Sequence, residues 1–172
     1  MIEKGKISQE PFIEILKILE EAESANLIDW NAMNIASVNQ INQPSSRMVL
    51  LKKISDEGLV FYTNYNSRKG KEIELNPKVA VNFWWRELRK QIRVEGFIEK
   101  ASEEDSDNYF NSRPLKSRVS AIISNQSSTI SSYEDLTNQI DNYLEKNDES
   151  SIKRPDHCGL YIVIPNTVEF WQ

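Results

Sequence analysis

The sequence predicts an α+β fold in which a small antiparallel β-barrel is surrounded by helices. Two observations lead to this prediction. Strand-like runs in the middle of the chain are joined by connections so short that neighbouring strands must be antiparallel. Segments with helical periodicity lie on both sides of this meander. With 172 residues, the chain has the length of one domain with a real hydrophobic core.

Five strand-like runs make up the predicted meander. Residues 55–58 and 86–89 provide two turns that join four of these runs in pairs. Two further runs, 159–165 and 168–172, return the chain to the sheet. The five runs of the meander are 32–38, 47–54, 58–64, 78–85 and 90–101.

The segment "EPFIEILKILEEAESA" predicts a first helix that starts near Ser8, with Pro11 tolerated in the first turn. Its apolar residues recur at helical spacing, so we expect one buried face. This face consists of Phe12, Ile15, Leu16, Leu19 and Ala22. After the meander, helices are predicted over 102–110, 114–124 and 132–147, and a polar loop over 147–157.

The composition excludes several classes of site. The single cysteine, Cys158, cannot form an internal disulfide, and with the one histidine, His157, it cannot make a usual zinc site. The five glycines form neither common nucleotide-binding loop, and no nucleophile with its base is evident. No apolar run is long enough for a membrane span or a signal peptide. We therefore expect a soluble, cytoplasmic protein without a bound metal.

The net charge of −5 conceals a basic middle segment. Residues 47–93 contain eleven Lys or Arg against five Asp or Glu, whereas the rest of the chain contains ten against twenty-one. Such a local excess predicts a site for an anion, and a solvated charged surface is the alternative.

The run "RMVLLKK" (47–53) begins with an arginine and ends with two lysines. Because side chains alternate along a strand, Arg47 and Lys52 should face opposite sides unless a bulge intervenes. They would then serve two different ligands, and protection of a strand edge is the alternative.

The segment "YTNYNSRKGKEIELNP" (62–77) predicts a short helix that starts near Ser67. Arg68, Lys69 and Gly70 fall in its first turn, where free N–H groups and the helix dipole attract anions. Cations at this position disfavour the helix unless a negative ligand compensates. We therefore predict a phosphate site, with an exposed basic turn as the alternative.

The run "NFWWRELRKQIRVEG" (82–96) mixes aromatic residues with cations, as some proteins that bind single-stranded nucleic acid do. However, Phe83 and Trp85 share one face of the strand and Trp84 lies on the other, which favours packing in a barrel wall. Gln91 is an amide in an apolar strand and is suited to read the edge of a heterocycle.

The segment "YFNSRPLKS" (109–117) places Tyr109, Arg113 and Ser117 at intervals of four. Pro114 should end the first helix, so that the three side chains converge around its end instead of forming one stripe. A phenol, a guanidinium and a hydroxyl all suit a phosphate, and a solvent-facing polar stripe is the alternative. The nearby "SNQSS" (124–128) offers a further amide and further hydroxyls.

Taken together, eight segments resemble the pyridoxine (pyridoxamine) 5′-phosphate oxidase family in order and spacing, from about residue 31 to residue 172. They are "NAMNIASV", "PSSRMVLLK", "FYTNYNSRKGKE", "NPKVAVNFWW", "RKQIRVEG", "YFNSRPLKS", "NQSS" and "VEFWQ". The resemblance implies the FMN-binding split-barrel fold, in agreement with the antiparallel barrel inferred above. It also implies a homodimer with flavin at the subunit interface.

The resemblance implies a cofactor site and a substrate site. Arg68 and Lys69 would clamp the FMN phosphate, and Trp171 would lie beside the flavin. The residues implied to contact FMN are Arg47, Met48, Val49, Leu50, Leu51, Lys52, Tyr62, Thr63, Arg68, Lys69, Gln91, Gln126, Ser127 and Trp171. The residues implied to bind the substrate phosphate are Lys52, Tyr109, Arg113 and Ser117.

The implied activity is the FMN-dependent oxidation of pyridoxine or pyridoxamine 5′-phosphate to pyridoxal 5′-phosphate, a step of vitamin B6 metabolism. A hydride equivalent would pass from C4′ of the substrate to flavin N5, and oxygen would reoxidise the flavin to give hydrogen peroxide. Neither a nucleic acid nor a membrane is implied as a partner.

In the family, "EFWQ" is followed by a segment containing Arg-Leu-His-Asp-Arg, whose Arg and His meet the reacting end of the substrate. This sequence stops at Gln172, so we expect one split-barrel domain over residues 1–172 that lacks this segment, and we identify no catalytic residue. An oxidase with impaired turnover is one expectation. The alternatives are a non-catalytic protein that binds FMN or pyridoxal 5′-phosphate, and a related flavin oxidoreductase with another substrate.

Overall fold

The computed structural model describes residues 2–172, in which the chain forms seven strands and five helices. The strands are β1 (Glu3–Lys4), β2 (Ala32–Val38), β3 (Pro44–Ser55), β4 (Gly58–Asn64), β5 (Lys78–Trp85), β6 (Lys90–Lys100) and β7 (Cys158–Trp171). The helices are α1 (Glu10–Ser24), α2 (Arg68–Leu75), α3 (Glu103–Ser112), α4 (Leu115–Ile123) and α5 (Tyr133–Lys146). A short 3-10 helix covers Glu149–Ser151.

The chain divides into two compact units. The barrel unit comprises the residues up to 62 together with 72–100 and 161–172. The helical unit comprises 63–71 and 101–160.

In the barrel unit, the strands form one sheet in the order β1-β3-β2-β5-β6-β7-β4. An additional pairing between β3 and β4 closes this sheet on itself. The two-residue β1 runs parallel to β3, whereas β2, β3, β4, β5, β6 and β7 pair with antiparallel neighbours. The antiparallel barrel expected from the short connections is therefore confirmed.

The alternation of side chains along β5 shows how the wall of the barrel is built. Phe83 and Trp85 are buried and their rings stack with centroids 5.4 Å apart, whereas Trp84 is 51% exposed on the other face. The expectation that these aromatic residues form a two-sided wall is thus confirmed. Other large buried side chains of the barrel unit are Met33, Ile35, Leu51, Phe61 and Ile92.

The last strand differs from the sequence prediction, because β7 is continuous through Pro165 where we expected two separate runs. The pairing of β6 with β7 shifts register between Glu95 and Gly96, opposite this proline. Such an irregularity lets the strand pass a residue that has no N–H to donate. Gly96 fits this position because a Cβ there would lie 2.1 Å from the Ile164 carbonyl oxygen.

Helix α1 begins at Glu10, slightly later than the predicted start near Ser8, and its N-cap residue Gln9 makes no capping bond with its side chain. The cap is supplied by Asp56, in the turn between β3 and β4. Its carboxylate accepts hydrogen bonds from the N–H groups of Ser8 and Gln9 at 2.9 to 3.0 Å. The entry to the first helix is therefore tied to the turn between β3 and β4.

The buried face of α1 also differs in one residue from the prediction. It contains Ile18 in place of Leu16, which is only half-buried. At 3.6 residues per turn, Ile18 and Leu16 lie equally far from the centre of the face defined by the other members, so helical spacing alone does not distinguish them. The observed buried residues are Phe12, Ile15, Ile18, Leu19 and Ala22.

In the helical unit, α4 packs on α5, and α3 and α5 each begin at a capping serine, Ser102 and Ser132 respectively. The polar loop that follows α5 is fastened to α3 by Arg154. This side chain forms ion pairs with Asp107, at 2.7 Å, and with Glu103. The predicted helices and the predicted loop are confirmed.

Within residues 2–172, no helix combines the length and the apolar character needed to cross a membrane. The same residues contain no group of three or more His, Cys, Asp or Glu side chains arranged to hold a metal ion.

Candidate functional site

Arg47 lies in β3 of the barrel unit, and a polar network holds its guanidinium. Nη1 donates to the Ile35 carbonyl oxygen at 3.2 Å and to Ser37 Oγ at 2.6 Å. Nη2 donates to Ser45 Oγ and, at 3.2 Å, to Glu72 Oε2. These four bonds account for every hydrogen on the two terminal nitrogens, so Nε–H and the aliphatic stem remain for contacts with a ligand.

Sequence reasoning missed three members of this network, namely Ser37, Ser45 and Glu72. They are distant in sequence and meet only because β2 pairs with β3 and because α2 brings its carboxylate beside them. The one available signal was an acidic residue in the otherwise basic start of α2, "RKGKE".

A β-bulge decides the geometry of Lys52. In the pairing of β3 with β4, the register shifts between Leu51 and Lys53, which leaves Lys52 as the extra residue. A bulged residue leaves the regular alternation of the strand. We expected Arg47 and Lys52 to point to opposite faces unless a bulge intervenes. The bulge is present at Lys52, so the regular alternation does not determine the direction of its side chain.

The other predicted residues of β3 and β4 divide between the two faces of the sheet. Met48 and Leu50 are 60% and 40% exposed, whereas Leu51 is fully buried. Val49 and Tyr62 are half-buried. The exposed pair leaves apolar surface on the outside of the barrel unit, where a ligand or another chain has access.

The outer face of β5, β6 and β7 carries a second group of predicted residues. Gln91 lies opposite Trp84 on one side and opposite Trp171 on the other. Its Nε2 donates to Asn82 Oδ1 at 2.7 Å, which directs the amide so that its carbonyl oxygen is available as an acceptor. The rings of Trp84 and Trp171 are 6.1 Å apart and tilted by 52°. Sequence reasoning did not single out Asn82.

In the helical unit, three predicted residues meet around one buried ammonium group. Lys69 is 7% exposed, and its Nζ donates to Gln126 Oε1 at 2.6 Å and to Ser67 Oγ at 3.3 Å. Thr63 Oγ1 also donates to Gln126 Oε1, at 3.4 Å. The fold thereby brings together predicted residues that are far apart in sequence. Ser67, which was not predicted as a site residue, contacts the same ammonium group.

The first turn of α2 forms as predicted, with Arg68, Lys69 and Gly70 at its start. Ser67 Oγ accepts a hydrogen bond from the Gly70 N–H at 3.3 Å, and Arg68 is exposed. A Cβ on Gly70 would lie 2.0 Å from the carbonyl oxygen of Tyr65, so only glycine fits this close approach. Ser127, also predicted, lies exposed in the loop after α4 with φ of 70°.

Tyr109, Arg113 and Ser117 lie around the junction of α3 and α4. Arg113 is the C-cap of α3 and Pro114 the N-cap of α4, so the proline ends the first helix as expected. Burial raises the pKa of the Tyr109 phenol, and the nearby charge of Arg113 opposes this shift. Ser117 is half-buried in the first turn of α4. The break separates Ser117 from the helix of Tyr109.

The hydrogen-bonding groups of the predicted residues suit a phosphorylated flavin. Lys69 and Thr63 offer an ammonium and a hydroxyl beside an amide, which are groups that bind phosphate oxygens. On the barrel unit, Gln91 offers an oriented amide between two exposed tryptophans, as a polar heterocyclic ring requires.

Comparison with known proteins gives consistent results. The family model for pyridoxamine 5′-phosphate oxidase matches residues 19–143. A pyridoxine/pyridoxamine 5′-phosphate oxidase from Nostoc sp. is 48% identical, with 97% of this chain and 78% of the relative covered. Another oxidase of this name, from Hydrogenovibrio crunogenus, is 42% identical over 99% of this chain and 80% of its own length.

Solved structures have the same fold. PhzG from Burkholderia lata, in complex with tetrahydrophenazine-1-carboxylic acid, superposes with a TM-score of 0.88 and 26% identity, covering 95% of this chain and 80% of that one. A pyridoxamine 5′-phosphate oxidase-related FMN-binding protein from Nostoc punctiforme has a TM-score of 0.76 and 18% identity, with 95% and 86% covered. The family match covers most of the chain, and the first relatives match it along almost its whole length. The chain therefore belongs to the pyridoxine/pyridoxamine 5′-phosphate oxidase family.

Proposed function

We propose that this protein is an FMN-dependent oxidase that converts pyridoxine or pyridoxamine 5′-phosphate to pyridoxal 5′-phosphate. The observation that carries the proposal is the meeting of Thr63, Lys69 and Gln126 around one buried ammonium, in a chain that belongs to the oxidase family. An ammonium, a hydroxyl and an amide that meet at one place are groups that bind phosphate oxygens.

We assign the FMN phosphate to Arg68 and Lys69, with Thr63, Gln126 and Ser127 beside it. The first turn of α2 supports this assignment because its N–H groups and dipole favour a negative charge. The remaining FMN contacts that the family resemblance implies are Arg47, Met48, Val49, Leu50, Leu51, Lys52, Tyr62, Gln91 and Trp171.

We assign the substrate phosphate to Lys52, Tyr109, Arg113 and Ser117. The Tyr109 phenol, whose pKa is raised by burial above the ordinary value of 10.0, is protonated near neutral pH, so its hydroxyl is a hydrogen-bond donor. The planar guanidinium of Arg113 can hold two phosphate oxygens at once and thereby fix the direction of the substrate. These residues bind and orient the substrate, and bound FMN supplies the electron acceptor that oxidation of C4′ requires.

We also propose that the protein is a homodimer and that residues 1–172 form one split-barrel domain. The support for a dimer is the apolar surface on the outside of the barrel unit. Met48, Leu50, Trp84 and Trp171 are between 40% and 60% exposed there. Large exposed apolar patches of this kind are typical of protein interfaces.

We further propose that oxygen is the final electron acceptor and that hydrogen peroxide is the second product. The proposed location of the protein is the cytoplasm.

The proposal is tested by adding FMN to the purified protein and then giving it pyridoxine or pyridoxamine 5′-phosphate in air. We expect a yellow protein that forms pyridoxal 5′-phosphate and hydrogen peroxide in equal amounts. A protein that binds FMN but turns over neither substrate would be a flavin-binding module. Turnover of another reduced ring alone would indicate a related oxidoreductase, and failure to bind FMN would refute the proposal.

A further inference from the structure

We propose that Glu72 is a positioning residue that holds the Arg47 guanidinium in the orientation needed for flavin binding. This inference rests on the proposed function, because it takes Arg47 to be an FMN contact. It assigns a role to a residue that is absent from the sets of cofactor and substrate contacts given above.

Three hydrogen-bond donors converge on the Glu72 carboxylate. Glu72 Oε2 accepts from Ser37 Oγ at 2.6 Å, from Ser45 Oγ at 2.7 Å and from Arg47 Nη2 at 3.2 Å. A carboxylate that serves three donors from two adjacent strands acts as the centre of the network.

The Glu72 carboxylate is also buried. Glu72 is 5% exposed and Ser37 is fully buried, so this carboxylate has little access to water. A buried charge is tolerated only when it is paired and hydrogen-bonded, and removal of one partner leaves the other uncompensated. The placement of the Arg47 guanidinium therefore depends on the Glu72 carboxylate.

The network also imposes a fixed geometry on Arg47. The two terminal nitrogens are committed to Ile35, Ser37, Ser45 and Glu72, which fixes the plane of the guanidinium. Only Nε–H and the stem are left to meet a ligand. A long, flexible side chain fixed before binding loses less conformational entropy when the ligand arrives.

Glu72→Gln tests this directly, because it keeps the size of the side chain and removes its charge. Glu74→Gln is the matched control, since Glu74 lies exposed on the same helix and undergoes the same change. We expect Glu72→Gln to raise the Kd for FMN about tenfold, measured by quenching of flavin fluorescence, and Glu74→Gln to leave it unchanged.

A double-mutant cycle separates positioning from a general effect on the fold. If Glu72 acts through Arg47, then Glu72→Gln has no further effect on the Kd in an Arg47→Met background. The visible spectrum of bound FMN should also change in Glu72→Gln and stay as in the wild type in Glu74→Gln.

The inference is overturned if Glu72→Gln binds FMN as tightly as the wild type, or if its effect persists undiminished in Arg47→Met. If Glu72→Gln does not fold, Ser45→Ala carries the same cycle, because it removes one donor to the carboxylate and one acceptor from Arg47. A wild-type protein that fails to bind FMN would instead refute the proposed function itself.

Discussion

Two cations of the candidate site lie in different hydrogen-bond networks. Arg47 is matched by the Glu72 carboxylate, so part of its charge is compensated within the protein. Lys69 donates to the neutral oxygens of Gln126 and Ser67.

We predict that Lys69→Met weakens FMN binding much more than riboflavin binding. The variant keeps most of the buried stem and removes the ammonium, and a hydrogen bond to a charged group contributes about 1.5–3 kcal/mol. The Kd for FMN should accordingly rise by roughly 10- to 100-fold. The Kd for riboflavin, which lacks the phosphate, should change little, and both are measured by fluorescence quenching.

The matched control for this prediction is Lys71→Met, because Lys71 is exposed on the same helix. It should bind FMN as the wild type does. An equal loss of FMN and riboflavin affinity in Lys69→Met would show that Lys69 does not hold the phosphate.

Arg113 should act on the substrate and not on the cofactor. We predict that Arg113→Lys raises the KM for pyridoxine 5′-phosphate by about tenfold, because a lysine cannot form the bidentate hydrogen bonds that a guanidinium makes with phosphate. Steady-state peroxide assays measure this change. The FMN Kd should remain that of the wild type.

Lys116→Met serves as the control for Arg113, since Lys116 is exposed and pairs with Asp141 across α4 and α5. An unchanged KM in Arg113→Lys would remove Arg113 from the substrate site.

At the scale of secondary structure elements, the cap of α1 is the contact whose strength depends on pH. Asp56 accepts hydrogen bonds from Ser8 Oγ and from the N–H groups of Ser8 and Gln9, and these bonds lower the pKa of its carboxyl group below the ordinary value of 3.8. A carboxyl group with a lowered pKa stabilises the folded state above its unfolded pKa. This stabilisation is lost as the pH falls through the folded pKa.

We therefore predict that Asp56→Asn lowers the Tm by roughly 2–4 °C at pH 7. The difference from the wild type should shrink as the pH falls below the ordinary carboxyl pKa of 3.8 and through the lower pKa of folded Asp56, where the carboxylate becomes protonated. Calorimetric melts over this pH range measure the effect. Glu57→Gln, in the same turn, should match the wild type at every pH, and a pH-independent deficit in Asp56→Asn would contradict the account.

Sequence patterns predicted the elements well because hydrophobic periodicity and turn residues act locally. They predicted β5, β6 and the helices at almost the observed bounds. They missed the bulge at Lys52 and the continuity of β7 through Pro165, since both depend on the register with a neighbouring strand. They also started β3 at Arg47 instead of Pro44, because the polar residues before the arginine look like a loop.

At the scale of the whole molecule, the residue types of the candidate site could be read from the sequence but their partners could not. The meeting of Lys69 with Gln126 requires two segments 57 positions apart, and Arg47 meets Glu72 across 25 positions. Pairing and packing bring these side chains together, and no local pattern encodes such contacts. Gln91 could be identified from the sequence because it is an amide in an apolar strand. Asn82, which orients this amide, could not be identified, because no sequence pattern marks it as a partner of Gln91.

The exposed apolar face of the barrel unit predicts the state of assembly. We expect the protein to sediment as a dimer, and Leu50→Lys to shift it towards the monomer, because a charge placed in an apolar interface is costly to bury. Analytical ultracentrifugation across a range of concentrations measures this. Ile28→Lys, at a position that is 94% exposed, is the control and should leave the dimer intact.

The most direct test of the account is the absorbance spectrum of the FMN-loaded protein, recorded without oxygen before and after pyridoxine 5′-phosphate is added. The account predicts that the yellow absorbance bleaches on addition of the substrate and returns when air is admitted, with release of pyridoxal 5′-phosphate. A flavin that binds and keeps its colour in the presence of either B6 phosphate would contradict it.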